Sequence, residues 1–245
     1  MLFRSRANRY NAYSFCNFGA RGNASANIDG TDDSYAMLQA IRSVPKTSGL
    51  LTIEPLYYTH GNGDERVILL YMEGYNQLTI NGYGAVIQSH RQNPALVANA
   101  GFWWVRCKNL TVNGLTFDGR LDVRTPIVSD PNQTNKQHGF NIGLDCEHVT
   151  LNDCIAKRCL MDGFFVGGSG YTADNGDYLS PGRITLNNCI SEYNYRQGLS
   201  ISRCQGLSVI GGSYSHTGRL GQDKGTSPMA GIDSDRKSTR LNSSH

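Results

Sequence analysis

The chain has 245 residues, a formal net charge of +3 and 39% hydrophobic residues. That length suits one β domain, and no apolar run approaches the ~18 residues of a membrane-spanning helix. The near-balanced charge gives no basis for nucleic-acid or membrane-surface binding, while 28 glycines and 18% charged residues suit a turn-rich β protein.

Residues 1–14 are polar and irregular and read as a lead-in. Met1-Leu-Phe-Arg-Ser-Arg6 has no apolar h-region, so no signal peptide is visible. Phe18-Gly-Ala-Arg-Gly-Asn23 and Asp29-Gly-Thr-Asp-Asp33 follow. The spacing of Ala36, Met37, Ala40, Ile41 and Val44 predicts a helix over 34–44. Thr31 or Asp32 can cap it, and Asp32 and Asp33 favour its positive end. From Leu50 onward the period shifts to short strands at 50–54, 66–71 and 78–80, separated by turns at Gly61-Asn-Gly63, Gly74 and Asn81-Gly82.

Two interleaved series then run to the end of the chain. The first is Leu78-Thr-Ile-Asn81, Leu110-Thr-Val-Asn113, Val149-Thr-Leu-Asn152, Ile184-Thr-Leu-Asn187 and, more weakly, Leu207-Ser-Val-Ile210, at spacings of 32, 39, 35 and 23 residues. The second is Gly101-Phe-Trp-Trp104, Gly139-Phe-Asn-Ile142, Gly163-Phe-Phe-Val166, Gly198-Leu-Ser-Ile201 and Gly231-Ile-Asp233. Alternating strands at such periods predict an all-β solenoid whose coils bury their apolar side against the next, with the helix over 34–44 as its cap. Two excursions, 119–137 and 167–182, leave the stack as long polar loops. Asn81, Asn113, Asn152 and Asn187 fall in one column and read as a corner ladder. Cys154 and Cys189 share a position in consecutive coils, and Cys107, Cys146 and Cys204 each precede a repeat by three residues, so the cysteines read chiefly as free core thiols. No C-x-x-C pair supports zinc. Asn23, Asn109 and Asn132 begin glycosylation-type triplets, which are common by chance.

Phe18-Gly-Ala-Arg-Gly22, Gly30-Thr-Asp-Asp33 and the Ala/Gln-bearing helix resemble the N-terminal signature of the pectate-lyase-like superfamily. Ile53-Glu-Pro55 with Tyr57, Asn76-Gln-Leu-Thr-Ile-Asn-Gly-Tyr-Gly-Ala85, Arg196-Gln-Gly-Leu-Ser-Ile201 and Ala230-Gly-Ile-Asp233 are similar to its coils. The resemblance spans about 15–234. It implies a right-handed parallel β-helix, with capping signature and helix over 15–45 and coils over 50–234. It implies a carbohydrate-directed function on a secreted, cell-surface or virion-surface protein. The polygalacturonase motifs, the Asp-Pro-His-Glu run of alginate epimerases and the Asp-His element of calcium-dependent pectate lyases are all absent, so no catalytic residue carries over. Residues 235–245 resemble a translated sequencing adapter and are set aside as a non-native tail; without their three basic residues and one Asp the charge falls to +1. The expectation that follows is a natural chain running on past Ser234, with the last coil exposing a strand edge and an uncovered apolar stack.

Registering the coils on their glycines turns Phe102, Phe140, Phe164, Leu199 and Ile232 inward and places Trp103, Asn141, Phe165, Ser200 and Asp233 in an outward column. Aromatic faces and polar side chains in one row suit a sugar cleft, unless a long loop covers them. His138, Asp162 and Gln197 directly precede the glycines, with Arg196 beside Gln197. A lyase needs a base and a cation, for which His138, Arg196 and Asp162 are candidates; a hydrolase needs two carboxylates, for which Asp162 and Asp233 are the nearest pair. Two coils apart and offset along the strand, that pair exceeds the ~9.5 Å a hydrolase allows. The catalytic candidates are therefore Asp162, Arg196, His138 and Asp233; the substrate-binding candidates are Trp103, Asn141, Phe165 and Ser200. Each of Asp162, Arg196 and His138 has an alternative role in bonding its own turn. No cofactor is required, and calcium is an option if the reaction is a lyase's; Asp118 and Asp122 open a long loop that matches no calcium motif. The expected partner is a polysaccharide, as substrate or receptor, with the oligomer open and a homotrimer expected only of a tail-fibre-like protein. Two functions remain: cleavage of an acidic extracellular polysaccharide, as lyase or hydrolase, or a non-catalytic glycan-binding or structural module of a phage tail or bacterial surface.

Overall fold

A computed structural model describes residues 13–60, 70–90, 101–122, 138–167, 180–218 and 230–234. The lead-in, Asn132, most of both long excursions and the tail from 235 lie outside them.

Each coil contributes one strand to each of three parallel six-stranded sheets. The first sheet is β1 (Leu50–Thr52), β4 (Thr79–Asn81), β7 (Lys108–Asn113), β10 (Glu147–Asn152), β13 (Gly182–Asn187) and β16 (Gln205–Ile210). The second is β2 (Tyr57–His60), β5 (Val86–Ser89), β8 (Thr116–Asp118), β11 (Ile155–Lys157), β14 (Ile190–Glu192) and β17 (Ser213–Ser215). The third is β3 (Leu70–Glu73), β6 (Phe102–Val105), β9 (Phe140–Ile142), β12 (Phe164–Gly167), β15 (Leu199–Ser202) and β18 (Ile232–Ser234). The architecture is a single-stranded parallel β-helix. The first repeat series forms the first sheet and the second series the third.

Register explains the core. Leu51, Ile80, Val112, Leu151 and Leu186 stack in line through the first sheet, and all are buried. In the third sheet Phe102, Phe140 and Phe164 stack ring on ring, at 5.8 and 5.1 Å with interplanar angles of 13°. The glycine before each third-sheet strand from β6 onward marks a close approach: a Cβ at Gly163 would lie 1.9 Å from Ser191 Oγ. The asparagine column is a hydrogen-bonded ladder, with Asn113 donating to Asn81 (2.8 Å), Asn152 to Asn113 (2.9 Å) and Asn187 to Asn152 (3.3 Å). All seven cysteines are free and only Cys16 is not fully buried. Ile232, expected inside, is 47% exposed because no described strand follows β18.

The cap is α1 (Ser34–Ser43), which buries Met37, Ala40 and Ile41. Its N-cap residue is Asp33 rather than Thr31 or Asp32. The Asp33 carboxylate reaches away from the helix and accepts hydrogen bonds from the backbone N–H groups of Arg21 (2.7 Å) and Gly22 (3.0 Å). Asp32 accepts from Ser34 N–H instead. The paired motifs at 18–22 and 30–33 are thus two halves of one clasp. Asp33→Ala would leave two backbone donors unpaired at a buried site, and a loss of about 2–4 kcal/mol is expected. Chemical denaturation would measure it; a change under 1 kcal/mol would show that the clasp contributes nothing to stability.

Candidate functional site

The outward face of the third sheet carries a continuous row. Register aligns Tyr71, Trp103, Asn141, Phe165, Ser200 and Asp233 as neighbours on six successive strands. Tyr71 extends the row by one coil beyond the sequence reading. It was missed because Leu70 has no glycine before it, and the register was set on glycines. Tyr71 and Trp103 meet edge to face, with centroids 5.5 Å apart. The Trp103 indole lies across Gly143, where an added Cβ would come within 2.7 Å of Nε1. Trp103, Asn141 and Phe165 are half-buried, so each keeps part of its surface open. Asn141 Oδ1 is buried and has no hydrogen-bond partner among the described residues, in the middle of the row.

His138, Asp162 and Arg196 come together beside Phe165. Asp162 and Arg196 come from two connections between the second and third sheets, residues 158–163 and 193–198, and His138 lies just before β9. Gly139 N–H donates to the Asp162 carbonyl (3.0 Å), Gly163 N–H to the Gln197 carbonyl (3.0 Å) and Arg196 N–H to the Met161 carbonyl (3.1 Å). Backbone register therefore stacks His138, Asp162 and Gln197, while Arg196 reaches back one coil. The turn carrying Arg196 is locked by Asn194, fully buried, which accepts from Cys159 N–H and donates to Ser191 Oγ, both at 2.9 Å. Nothing in the sequence singled out Asn194; its role depends on a neighbour from the preceding coil.

The Asp162 carboxylate is 0% exposed and is clamped side-on by Arg196, with Nε donating to Oδ1 at 2.7 Å and Nη2 donating to Oδ2. His138 Nδ1 lies 3.2 Å from Asp162 Oδ2, off the line of a straight hydrogen bond. The His138 ring also packs on Phe165, centroids 4.8 Å apart. Burial alone would push the Asp162 carboxyl up, but the hydrogen bonds and charge of Arg196, with His138 close by, outweigh it and hold it below the ordinary carboxylate range. Asp162 is therefore an ionised, acceptor-only group that cannot touch a bound substrate. With no exposed surface, Asp162 is placed against His138 and Arg196 rather than toward the open face.

The remaining candidates differ in access. Ser200 lies on the outward side, yet it is buried; its hydroxyl donates to Gln197 Oε1 (2.6 Å), so it is spent within the protein. Gln197 Nε2 in turn donates to Asp233 Oδ2 (2.6 Å), which leaves Asp233 half-buried and tethered. Asp162 and Asp233 thus have separate partners, and Asp162 is closed to any hydrolytic pair. Asp118 and Asp122 do not suit calcium: Arg158 donates to both carboxylates, and Lys157 adds a second cation 3.7 Å from Asp118. Among the described residues no group of three or more His, Cys, Asp or Glu is arranged for a metal.

No family model matches the sequence, and no curated protein matches it. Solved structures do match. The Agl-KA catalytic domain aligns over 87% of this chain and 36% of its own length, at 18% identity and a TM-score of 0.57. A Parabacteroides merdae protein, provisionally described as a glycosyl hydrolase, aligns over 91% of this chain and 92% of its own, at 14% identity and a TM-score of 0.59. The A-module of the Azotobacter vinelandii mannuronan C-5 epimerase AlgE4 aligns over 84% and 58%, at 16% identity and a TM-score of 0.53. The chain thus spans well under two thirds of the Agl-KA domain and of the epimerase module. No helix among the described residues is long and apolar enough to cross a membrane. At these identities the likenesses speak to architecture alone, and the architecture is that of the parallel β-helix proteins.

Proposed function

We propose that the third-sheet face of this β-helix binds an acidic polysaccharide along the solenoid axis and cleaves it by β-elimination, on a secreted or surface-displayed protein. The observation that carries the reading is the His138–Asp162–Arg196 cluster beside the row Tyr71–Trp103–Asn141–Phe165. With Nδ1 turned to a buried carboxylate, His138 offers Nε2 as a base. That base takes the proton from C5 of a uronate unit; the electron pair forms the C4=C5 bond, the C4–O bond breaks, and the departing oxygen takes up a proton from solvent. Arg196 spends Nε and Nη2 on Asp162 and retains Nη1 for the uronate carboxylate, whose neutralisation acidifies the C5 proton. Elimination is favoured over hydrolysis because a hydrolase needs one carboxyl kept protonated as the acid, and Asp162 is held ionised. Uronate polymers are also the substrate class named for one structural neighbour, a mannuronan epimerase.

The test is to incubate the protein with polygalacturonate and with alginate and follow ultraviolet absorbance from the unsaturated product. Absorbance should grow, and His138→Gln should lower the rate by about 10²–10⁴-fold without unfolding the chain. New reducing ends without absorbance would replace the lyase with a hydrolase. Binding without either product would leave the second reading, a glycan-binding module. That reading has its own support, since the Asp162–Arg196 clamp also serves as a structural ion pair between adjacent turns.

A further inference from the structure

We infer that the cleft between α1 and the start of the third sheet is a cation-lined subsite for a carboxylate-bearing sugar, at the cap end of the row. The inference rests on the acidic-glycan reading above and names where a further sugar unit of that ligand sits. The cleft has a volume of about 440 Å³ and is lined by Ile41, Arg42, Lys46, Tyr71, Glu73 and Tyr75.

Its charges are not balanced internally. Arg42 is exposed and has no hydrogen-bond or ion-pair partner among the described residues. Lys46 Nζ makes no direct ion pair among the described residues; it sits 3.8 Å above the Tyr75 ring and donates to the Glu73 carbonyl at 2.5 Å. The one carboxylate in the lining, Glu73, is already engaged: the Tyr71 hydroxyl donates to it at 2.8 Å and the Arg106 guanidinium pairs with its other oxygen. Arg42 therefore faces the cleft without an acidic counterpart among the described residues, while Lys46 shares the charge of Glu73 with Arg106, so the lining is left net positive. The Tyr75 hydroxyl donates to the Ile41 carbonyl at 2.7 Å and ties the segment after β3 to the cap helix.

The cleft is continuous with the row. Tyr71 lines it and also meets Trp103 edge to face. Three coil steps separate β3 from β12, where Phe165 and the His138 cluster lie, or about 14 Å at ~4.8 Å per strand. An oligosaccharide laid on Trp103 and Asn141 with one end at His138 would bring its other end to the cleft. Aromatic walls beside an unpaired Arg42 and a neighbouring Lys46 suit a sugar that carries a carboxylate on an otherwise apolar ring face.

Calorimetric titration of the full chain with hexagalacturonate and hexamannuronate, and with the matching disaccharides, tests this. Arg42→Gln/Lys46→Gln should weaken the better-bound hexamer about tenfold, the scale of two exposed ion pairs, and leave its disaccharide unchanged. Trp103→Ala should weaken both lengths. An unaltered melting temperature in the double variant excludes damage to the cap. Equal hexamer affinity in the double variant, or an equal loss for both lengths, would overturn the subsite while leaving the row intact. If the wild-type chain bound neither uronate hexamer yet bound cellohexaose through Trp103, the cleft assignment and the acidic substrate would both fall and the row would stand.

Discussion

Phe140→Ala should destabilise the fold by about 3–5 kcal/mol, the range for truncating a buried aromatic side chain. Phe140 is fully buried and stands at the centre of a stack: Phe102 lies on one side at 5.8 Å, Phe164 on the other at 5.1 Å, and Trp104 at 6.0 Å with its plane inclined by 10°. In a solenoid each coil touches only its neighbours, so a void in a middle coil weakens the packing that couples the two halves of the stack. Neighbouring strands fix the rings on each side, and backbone spacing prevents collapse into the void. At about 2–4 °C per kcal/mol for a chain of this size, the melting temperature should fall by roughly 6–20 °C. Phe140→Leu, which keeps most of the volume, should lose less than half as much. Calorimetric melting of the three proteins decides it. A fall of only a degree or two for Phe140→Ala would mean that the stack does not couple the coils.

Much of this architecture is legible in the sequence, and the pattern of what is legible has a physical cause. The first sheet shows itself because its inward position needs a branched or aliphatic side chain and its corner favours an asparagine, so its four middle strands repeat the same Thr-x-Asn phrase. The third sheet shows itself through the glycine that lets one turn pass close to the next, as at Gly163. The second sheet writes nothing consistent. Its inward positions are Tyr58, Ile87, Phe117, Ala156, Ser191 and Tyr214, which differ in size because they fill whatever space the other two sheets leave. The outward row of the third sheet could be read by alternation alone, since alternation depends only on backbone geometry. What alternation could not give is accessibility. Asp162 is shielded by Arg196, 34 residues on and one coil away, and Ser200 by Gln197, whose side chain folds over it from the turn three residues before. The clasp at Asp33 was hidden for a similar reason: an Asp before a helix reads as a cap, and only the fold shows that its carboxylate faces Arg21 and Gly22.

Asp162→Asn removes one negative charge from a site where every partner was placed to receive it. The carboxylate has no exposure, Arg196 grips both its oxygens and His138 approaches one of them. Taking away one member of a buried ion pair leaves the other charge without compensation, and about 3–5 kcal/mol of stability should be lost. The variant also separates structure from chemistry through pH. In the wild-type chain the folded state holds the Asp162 carboxyl below its ordinary value, through Arg196 and His138 acting against burial. An acidic group with a depressed folded value contributes stability that is complete above the unfolded carboxylate value of about 4 and is lost as pH falls through the lower folded value. The wild-type melting temperature should therefore drop more steeply than that of Asp162→Asn below about pH 4, so that the two curves converge in acid and stand apart at neutral pH. Parallel curves across that range would mean that Asp162 titrates alike in the folded and unfolded chain, and the clamp would not carry the ion pair argued here. If instead the curves converge, and Asp162→Asn also loses elimination activity while Arg196→Lys keeps part of both, then the same buried carboxylate holds two turns of the solenoid together and sets the histidine that works on the sugar.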